Sequence, residues 1–300
     1  TRLIAQMIAN DFIGIGIKKE DLIRLRLILK PSILILASML ILNIFLGYFI
    51  HKTSNIDLLT SLMSAVPGGL TNTPVISAEM GADVSVVAVM QIIRFLLGIG
   101  LLPIIIKKST ATDKVKMVRD PMQYYNNIGI NNLNYAKVVN TIVTISIAAG
   151  CGIIGKTLGI PAGTITFSMI GVIVLKLSTN YAYMPYRLKY MAQLLAGAYI
   201  GTKIGLNDVL KMKYLLVPII MLIIGYSSLT ILMGKLLNRR FNMGLKESLL
   251  ATIPAGATDI ALIASDIGID GPDVIVLQII RMIFATSIIP QIIHFLSKLA

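Results

Sequence analysis

Two apolar runs in this chain are broken in the same way, 187 residues apart. The run 58–66 gives way to Pro67-Gly68-Gly69-Leu70-Thr71-Asn72-Thr73-Pro74 before apolar residues resume at 75–78. Proline brings no amide donor and glycine weakens a helix, so two half-helices meeting at Pro67 to Gly69 are expected. Pro254-Ala255-Gly256-Ala257-Thr258-Asp259 writes the break again, and the match runs without a gap through Gly81/Gly268, Asp83/Asp270, Gln91/Gln278, Arg94/Arg281 and Pro103/Pro290. Paired interruptions in corresponding halves of a hydrophobic chain point to a transporter binding site.

With 56% hydrophobic and 14% charged residues, the chain falls outside the balance of a soluble domain and within that of a polytopic membrane protein. Its net charge of +13 does not signal nucleic acid, because lysine and arginine fall in short clusters between apolar runs, as the positive-inside rule expects. Cys151 has no thiol partner, and His51 and His294 are too scattered to join it in a metal cage. No metal site, cofactor or catalytic set is therefore expected.

Carried backward, the offset pairs Gln6 with Gln193, Gly14 with Gly201 and Gly47 with Gly234. Residues 1–113 form one repeat copy, 114–137 a polar connector, and 138–300 the second copy. Apolar segments fall at 4–17, 27–50, 58–80 and 84–106 in the first copy, and at 138–154, 160–175, 190–204, 214–237, 248–267 and 274–296 in the second. The segments 138–154 and 160–175 have no counterpart in the first copy, so the natural protein is expected to carry about fifty further residues ahead of Thr1.

Loop charges bear on the direction of each copy. In the first, Lys18, Lys19, Arg24, Arg26 and Lys30 cluster about the start of the long segment 27–50; in the second, Lys235, Arg239, Arg240 and Lys246 cluster about the end of its counterpart. The swap predicts copies inserted upside down relative to each other, which requires an odd number of crossings per copy. The fold expected is thus an all-α polytopic membrane protein of two inverted repeats with broken or re-entrant helices at the midplane.

Backbone interrupted within a membrane is tolerated where it is buried in protein or lines a wet cavity. Asn72 or Thr73, and Thr258 or Asp259, are placed to cap the half-helices that follow, whose positive ends favour an anion. Arg94 and Arg281 lie near the middle of their segments, with Gln91 and Gln278 three residues ahead on the same helix face. Two readings fit these pairs: a guanidinium fork gripping a carboxylate, or a clip neutralising the carbonyl end of a half-helix. Asp259, whose counterpart is the neutral Asn72, is a candidate ligand for a coupling proton or sodium ion, with an ordinary helix cap as the plainer reading. Asp83 and Asp270 read as caps. The candidate substrate site comprises Gly68, Gly69, Thr71, Asn72, Gln91 and Arg94 with Gly256, Thr258, Gln278 and Arg281.

Pro67-Gly68-Gly69, Gly81-Ala82-Asp83, Gln91-Ile92-Ile93-Arg94 and Leu158-Gly159-Ile160-Pro161-Ala162 resemble motifs of the AbrB-type bacterial membrane protein family, which has a duplicated domain. The likeness covers nearly all of the chain. After Pro-Gly-Gly-Leu, Thr71-Asn72-Thr73 stands where family members often show Ser-Glu-Met, so a family carboxylate is missing there. The resemblance implies kinship with the cation-proton antiporter and anion transporter superfamily, whose inverted repeats bring crossing broken helices to the substrate. Family labels also include ammonia monooxygenase and regulator of gene expression, but an oxygenase needs metal ligands that two isolated histidines and one cysteine do not supply.

The expectation is a non-enzymatic secondary transporter of a small organic anion in the bacterial inner membrane, working by alternating access with proton or sodium coupling. The alternatives are a membrane sensor or regulator, and last an ammonia monooxygenase-like enzyme. Its partners are the anion and the lipid bilayer, and small-residue helix faces permit a homodimer.

Overall fold

The structure, a computed structural model, describes residues 15, 19–101, 135–179, 181–205, 215–256, 260 and 272–299. Nearly all of the expected segment 4–17, the connector up to residue 134, and Thr258, Asp259 and Asp270 lie outside the described residues. Every regular element among those described is helical.

The described elements of the first part begin with α1 (Lys19–Thr53), followed by the short α2 (Leu58–Ala65) and α3 (Asn72–Met80). Then come α4 (Val84–Leu96) and a π-helical turn, Leu97–Leu101. Asp57 caps α2 by accepting from the Thr60 amide, and Asp83 caps α4 by accepting from the Ser85 and Val86 amides, as expected for Asp83. Between α3 and α4, Gly81 takes the left-handed conformation at φ 86°, which glycine adopts without a Cβ penalty. The second part holds α5 (Tyr135–Thr157), α6 (Gly163–Ser178), α7 (Tyr186–Gly201), α8 (Leu216–Phe241), α9 (Leu245–Thr252), α10 (Pro272–Ser287) and α11 (Ile289–Leu299). The expected single segment 274–296 is therefore two helices parted at Ile288: Pro290 has no amide to donate, so the ladder is interrupted one turn before it.

Among the described residues, four stretches are long and apolar enough to cross a membrane: Ile28–Thr53, Lys137–Thr157, Leu216–Phe241 and Asp273–Lys298. Their outward faces are apolar. Ile41 on α1 is 68% exposed and Leu232 on α8 is 67% exposed, a surface suited to hydrocarbon rather than water.

The two longest helices pack against each other in opposite directions. Ile28 and Ile35 near the start of α1 share a cluster with Leu237 near the end of α8, while Leu46 and Ile50 near the end of α1 cluster with Leu222 near the start of α8. Each long helix also receives the short helix that follows it at a glycine. A Cβ on Gly47 of α1 would lie 2.6 Å from Leu62 Cδ2 of α2, and one on Gly234 of α8 would lie 2.5 Å from Leu249 Cδ2 of α9. Glycine is required at both places because the neighbouring leucine already occupies the Cβ position.

On α7, Ala192 and Ala196 are buried, and Ala196 packs with Val75 and Ala88. Gln193 is exposed, one residue past Ala192 and so about 100° around the helix from it.

Candidate functional site

The residues after α2 and after α9 form matching turns. The Gly68 amide donates to Val66 O at 2.8 Å, and the Ala255 amide to Ile253 O at 2.9 Å. An i to i+2 bond makes each a γ-turn, centred on Pro67 and on Pro254, whose ring fixes φ near the value such a turn needs.

A helix ends with four carbonyls that lack an internal donor, and buried carbonyls must find one elsewhere. At the end of α2 the chain supplies all four. Asn43 Nδ2 donates to Leu62 O at 3.1 Å, the Val66 amide to Met63 O at 3.3 Å, Gln91 Nε2 to Ser64 O at 3.4 Å, and the Tyr226 hydroxyl to Ala65 O. Gln91 Nε2 also reaches Val66 O at 3.1 Å. Gln278 Nε2 does the same work after α9, on Leu250 O, Ala251 O and Ile253 O at 2.7, 3.3 and 3.2 Å, and Thr230 Oγ1 meets Thr252 O at 3.4 Å.

The arginines complete the arrangement. Arg94 Nη2 donates to Gly68 O and to Gln91 Oε1, both at 2.6 Å, and its Nη1 donates to Pro254 O at 2.7 Å. One guanidinium therefore holds carbonyls of both interruptions. Arg281 stays with the second, donating from Nη1 to Ile253 O at 2.5 Å and from Nη2 to Ala255 O. Both arginines are 2% exposed, and Gln91, Gln278 and Tyr226 are fully buried. Burying a guanidinium costs several kcal/mol, about what carbonyl dipoles at a helix C-terminus with charge-assisted hydrogen bonds can offset. The geometry on display is thus the clip of the two sequence readings, and it leaves the Nε of Arg94, the Nε of Arg281 and the Oε1 of Gln278 buried without a partner.

The other expected site residues are placed as follows. Gly68 and Gly69 are half-buried in the first turn, and a Cβ on Gly68 would stand 2.1 Å from Thr73 Oγ1. Thr71 is half-buried and its hydroxyl reaches Asn72 Oδ1 at 3.3 Å; Asn72 is buried. The expectation that Asn72 or Thr73 caps α3 is not met. The Thr73 amide already bonds to Gly69 O at 3.1 Å, so both residues lie inside the first turn, and Thr71 takes the cap position without a side-chain bond to the helix. Gly256 is half-buried, and its carbonyl accepts from the Ile260 amide at 3.0 Å. Thr258 and Asp259 lie outside the described residues. Among the described residues no group of three or more histidine, cysteine or acidic side chains is disposed to hold a metal.

Sequence reasoning passed over four members of this site. Tyr226 has Met39 as its counterpart, so a search for matched pairs skips it; a lone phenol in an apolar helix, in need of a partner for its hydroxyl, is the signal that finds it. Asn43 and Thr230 are a matched pair of unlike residues. Gly98, one turn beyond Arg94, brings α4's π-helical extension against the second interruption: a Cβ there would lie 3.0 Å from Ala255 Cβ.

An all-helical chain with long apolar helices and a buried polar centre of this kind defines a membrane-type protein. A family model described as "Transition state regulatory protein AbrB" matches residues 1–297, and the chain belongs to the AbrB family. It is 25% identical over 289 residues to "Uncharacterized protein YhjN" of Bacillus subtilis (strain 168), covering 91% of this chain and 73% of that protein. It is 24% identical over 299 residues to "Putative regulator AbrB" of Escherichia coli (strain K12), covering 99% of this chain and 83% of that one.

Proposed function

We propose that the protein is a secondary transporter of a small organic anion, residing in the bacterial inner membrane and without enzymatic activity. The observation that carries this reading is the pair of Arg94 bonds to Gly68 O and Pro254 O, which brings the two interruptions to one buried polar centre. Inversion of the copies is supported by the antiparallel packing of α1 and α8, the two counterpart helices, and by the recurrence of the Gly47–Leu62 contact as Gly234–Leu249. Two guanidinium groups on neighbouring carbonyls, Pro254 O and Ala255 O, place like charges side by side where a carboxylate lowers their repulsion. The substrate carboxylate engages the Nε edges and draws the forks off the carbonyls they hold. Because Arg94 and Tyr226 each tie one copy to the other, loosening them frees the copies to rock, the motion alternating access requires. Asp259 is the proposed coupling residue, and a homodimer the proposed assembly.

A membrane sensor is the second reading. It is favoured by the full engagement of both guanidinium Nη groups with protein carbonyls and draws on the regulatory name of the Escherichia coli relative.

The test is uptake and binding of carboxylates by the full-length protein in proteoliposomes, with Arg94→Gln and Arg281→Gln alongside. A transporter accumulates solute, and both variants lose that activity while remaining inserted. Binding without accumulation selects the sensor, and full retention of binding and uptake by both variants removes the arginines from the site.

A further inference from the structure

At the opposite end of α1 and α8 from the Leu46 and Leu222 cluster, the two helices flank an open groove of about 410 Å³, within the range of about 300–1,000 Å³ that ligand pockets occupy. Its bed is apolar: Ile33, Leu34 and Ala37 from α1, and Leu236 and Phe241 from α8. Among the described residues its charged lining consists of Lys30 and Arg240, both basic and both exposed. Lys30 stands ahead of the uncharged apolar stretch 33–50 of α1, and Arg240 one residue short of the end of α8. Since α1 and α8 run antiparallel, both cations stand at the same face, beside the exposed Lys235 and Arg239.

We propose that this groove is a binding site for one anionic phospholipid, its phosphate held between Lys30 and Arg240 and an acyl chain laid over Ile33, Ala37 and Leu236. The inference goes beyond the transport reading and needs only that α1 and α8 span a bilayer. Two observations select this ligand. A soluble anion has no use for the apolar bed, and a neutral lipid has none for two cations with no acidic residue among the described lining residues. The bed is also open to hydrocarbon: Ile33 is 58% and Leu236 39% exposed although both line a concavity, so an acyl chain covers what no helix among the described residues does. Basic pockets between spanning helices are the sites where anionic headgroups are held. The site spans the packing seam between the two counterpart helices, so an occupant steadies one long helix against the other.

The experiment is native mass spectrometry of the full-length protein released from mixed micelles of defined phosphatidylglycerol and phosphatidylcholine content. Phosphatidylglycerol is retained over phosphatidylcholine by roughly tenfold or more, and Lys30→Gln with Arg240→Gln weakens its retention about 30-fold, at about fivefold per basic side chain. Ala37→Phe, which fills the bed and leaves both cations, causes a comparable loss. Lys52→Gln with Lys156→Gln removes two exposed charges elsewhere and changes nothing. Equal retention of the two lipids by the unaltered protein overturns the proposal whatever the variants do. So do undiminished retention in Ala37→Phe, which marks surface adhesion only, an equal loss in the control pair, and displacement of the lipid by inorganic phosphate.

Discussion

Removing one oxygen atom, in Tyr226→Phe, tests the carbonyl accounting at the end of α2. The Tyr226 hydroxyl is the donor that meets Ala65 O, on the last residue of that helix, and it comes from the other copy. The ring stays in place among Leu46, Ile50, Met90 and Leu222, so the substitution keeps the packing and deletes only the bond. What remains is a buried carbonyl with no donor, at a site where Tyr226 is 0% exposed and water does not replace it. Leaving a buried acceptor unsatisfied costs about 1–3 kcal/mol. Reversible unfolding in mixed dodecyl-sulfate micelles measures the loss, with Tyr48→Phe as reference because Tyr48 is 54% exposed. The expected result is a destabilisation of about 1–3 kcal/mol for Tyr226→Phe and a value within about 0.5 kcal/mol of zero for Tyr48→Phe. Two equal values near zero would refute the argument that cross-copy donors hold the interruption in shape.

Gly234→Ala forces a methyl against Leu249 Cδ2 and is expected to destabilise by about 1–3 kcal/mol in the same assay, whereas Gly197→Ala, whose Cβ position meets nothing within 4 Å, leaves stability unchanged or slightly raised. Gln278→Ala strips the amide donor from Leu250 O, Ala251 O and Ile253 O together, so its cost should exceed that of Tyr226→Phe; Gln193→Ala, on the exposed face of α7, should be silent.

Much of the centre could be read from residue chemistry. Pro67 and Pro254 announce their turns because proline has no amide and a fixed φ, and the spacing of three between Gln91 and Arg94 puts both on one face of α4 whatever surrounds it. The partners of those side chains were not legible. Arg94 finds Gly68 O through the packing of α4 on the turn after α2, and Pro254 O through the packing of one copy on the other, which no local pattern encodes. The start of α3 was misplaced for a related reason. Asn72 and Thr73 have the chemistry of caps, yet the Thr73 amide takes Gly69 O and its hydroxyl turns against Gly68, drawing both residues into the helix. The same contact makes glycine necessary at position 68, where a methyl would strike the threonine hydroxyl. The division of 274–296 was present in Pro290 all along, since a proline interrupts the ladder one turn ahead of itself.

The account stands or falls on the meeting of the two interruptions. A direct measurement is oxidative cross-linking of Gly98→Cys with Ala255→Cys, after Cys151→Ala removes the native thiol, in membranes containing the full-length protein. The Cβ positions are 3.0 Å apart, about half an ångström below the shortest separation a disulfide spans, so a small outward shift brings the sulfurs into bonding range. A mild oxidant should give rapid intramolecular closure, seen as a reducible mobility shift without a dimer band. Persistently free thiols at both positions, in protein whose unfolding transition matches the unaltered chain, would contradict the arrangement.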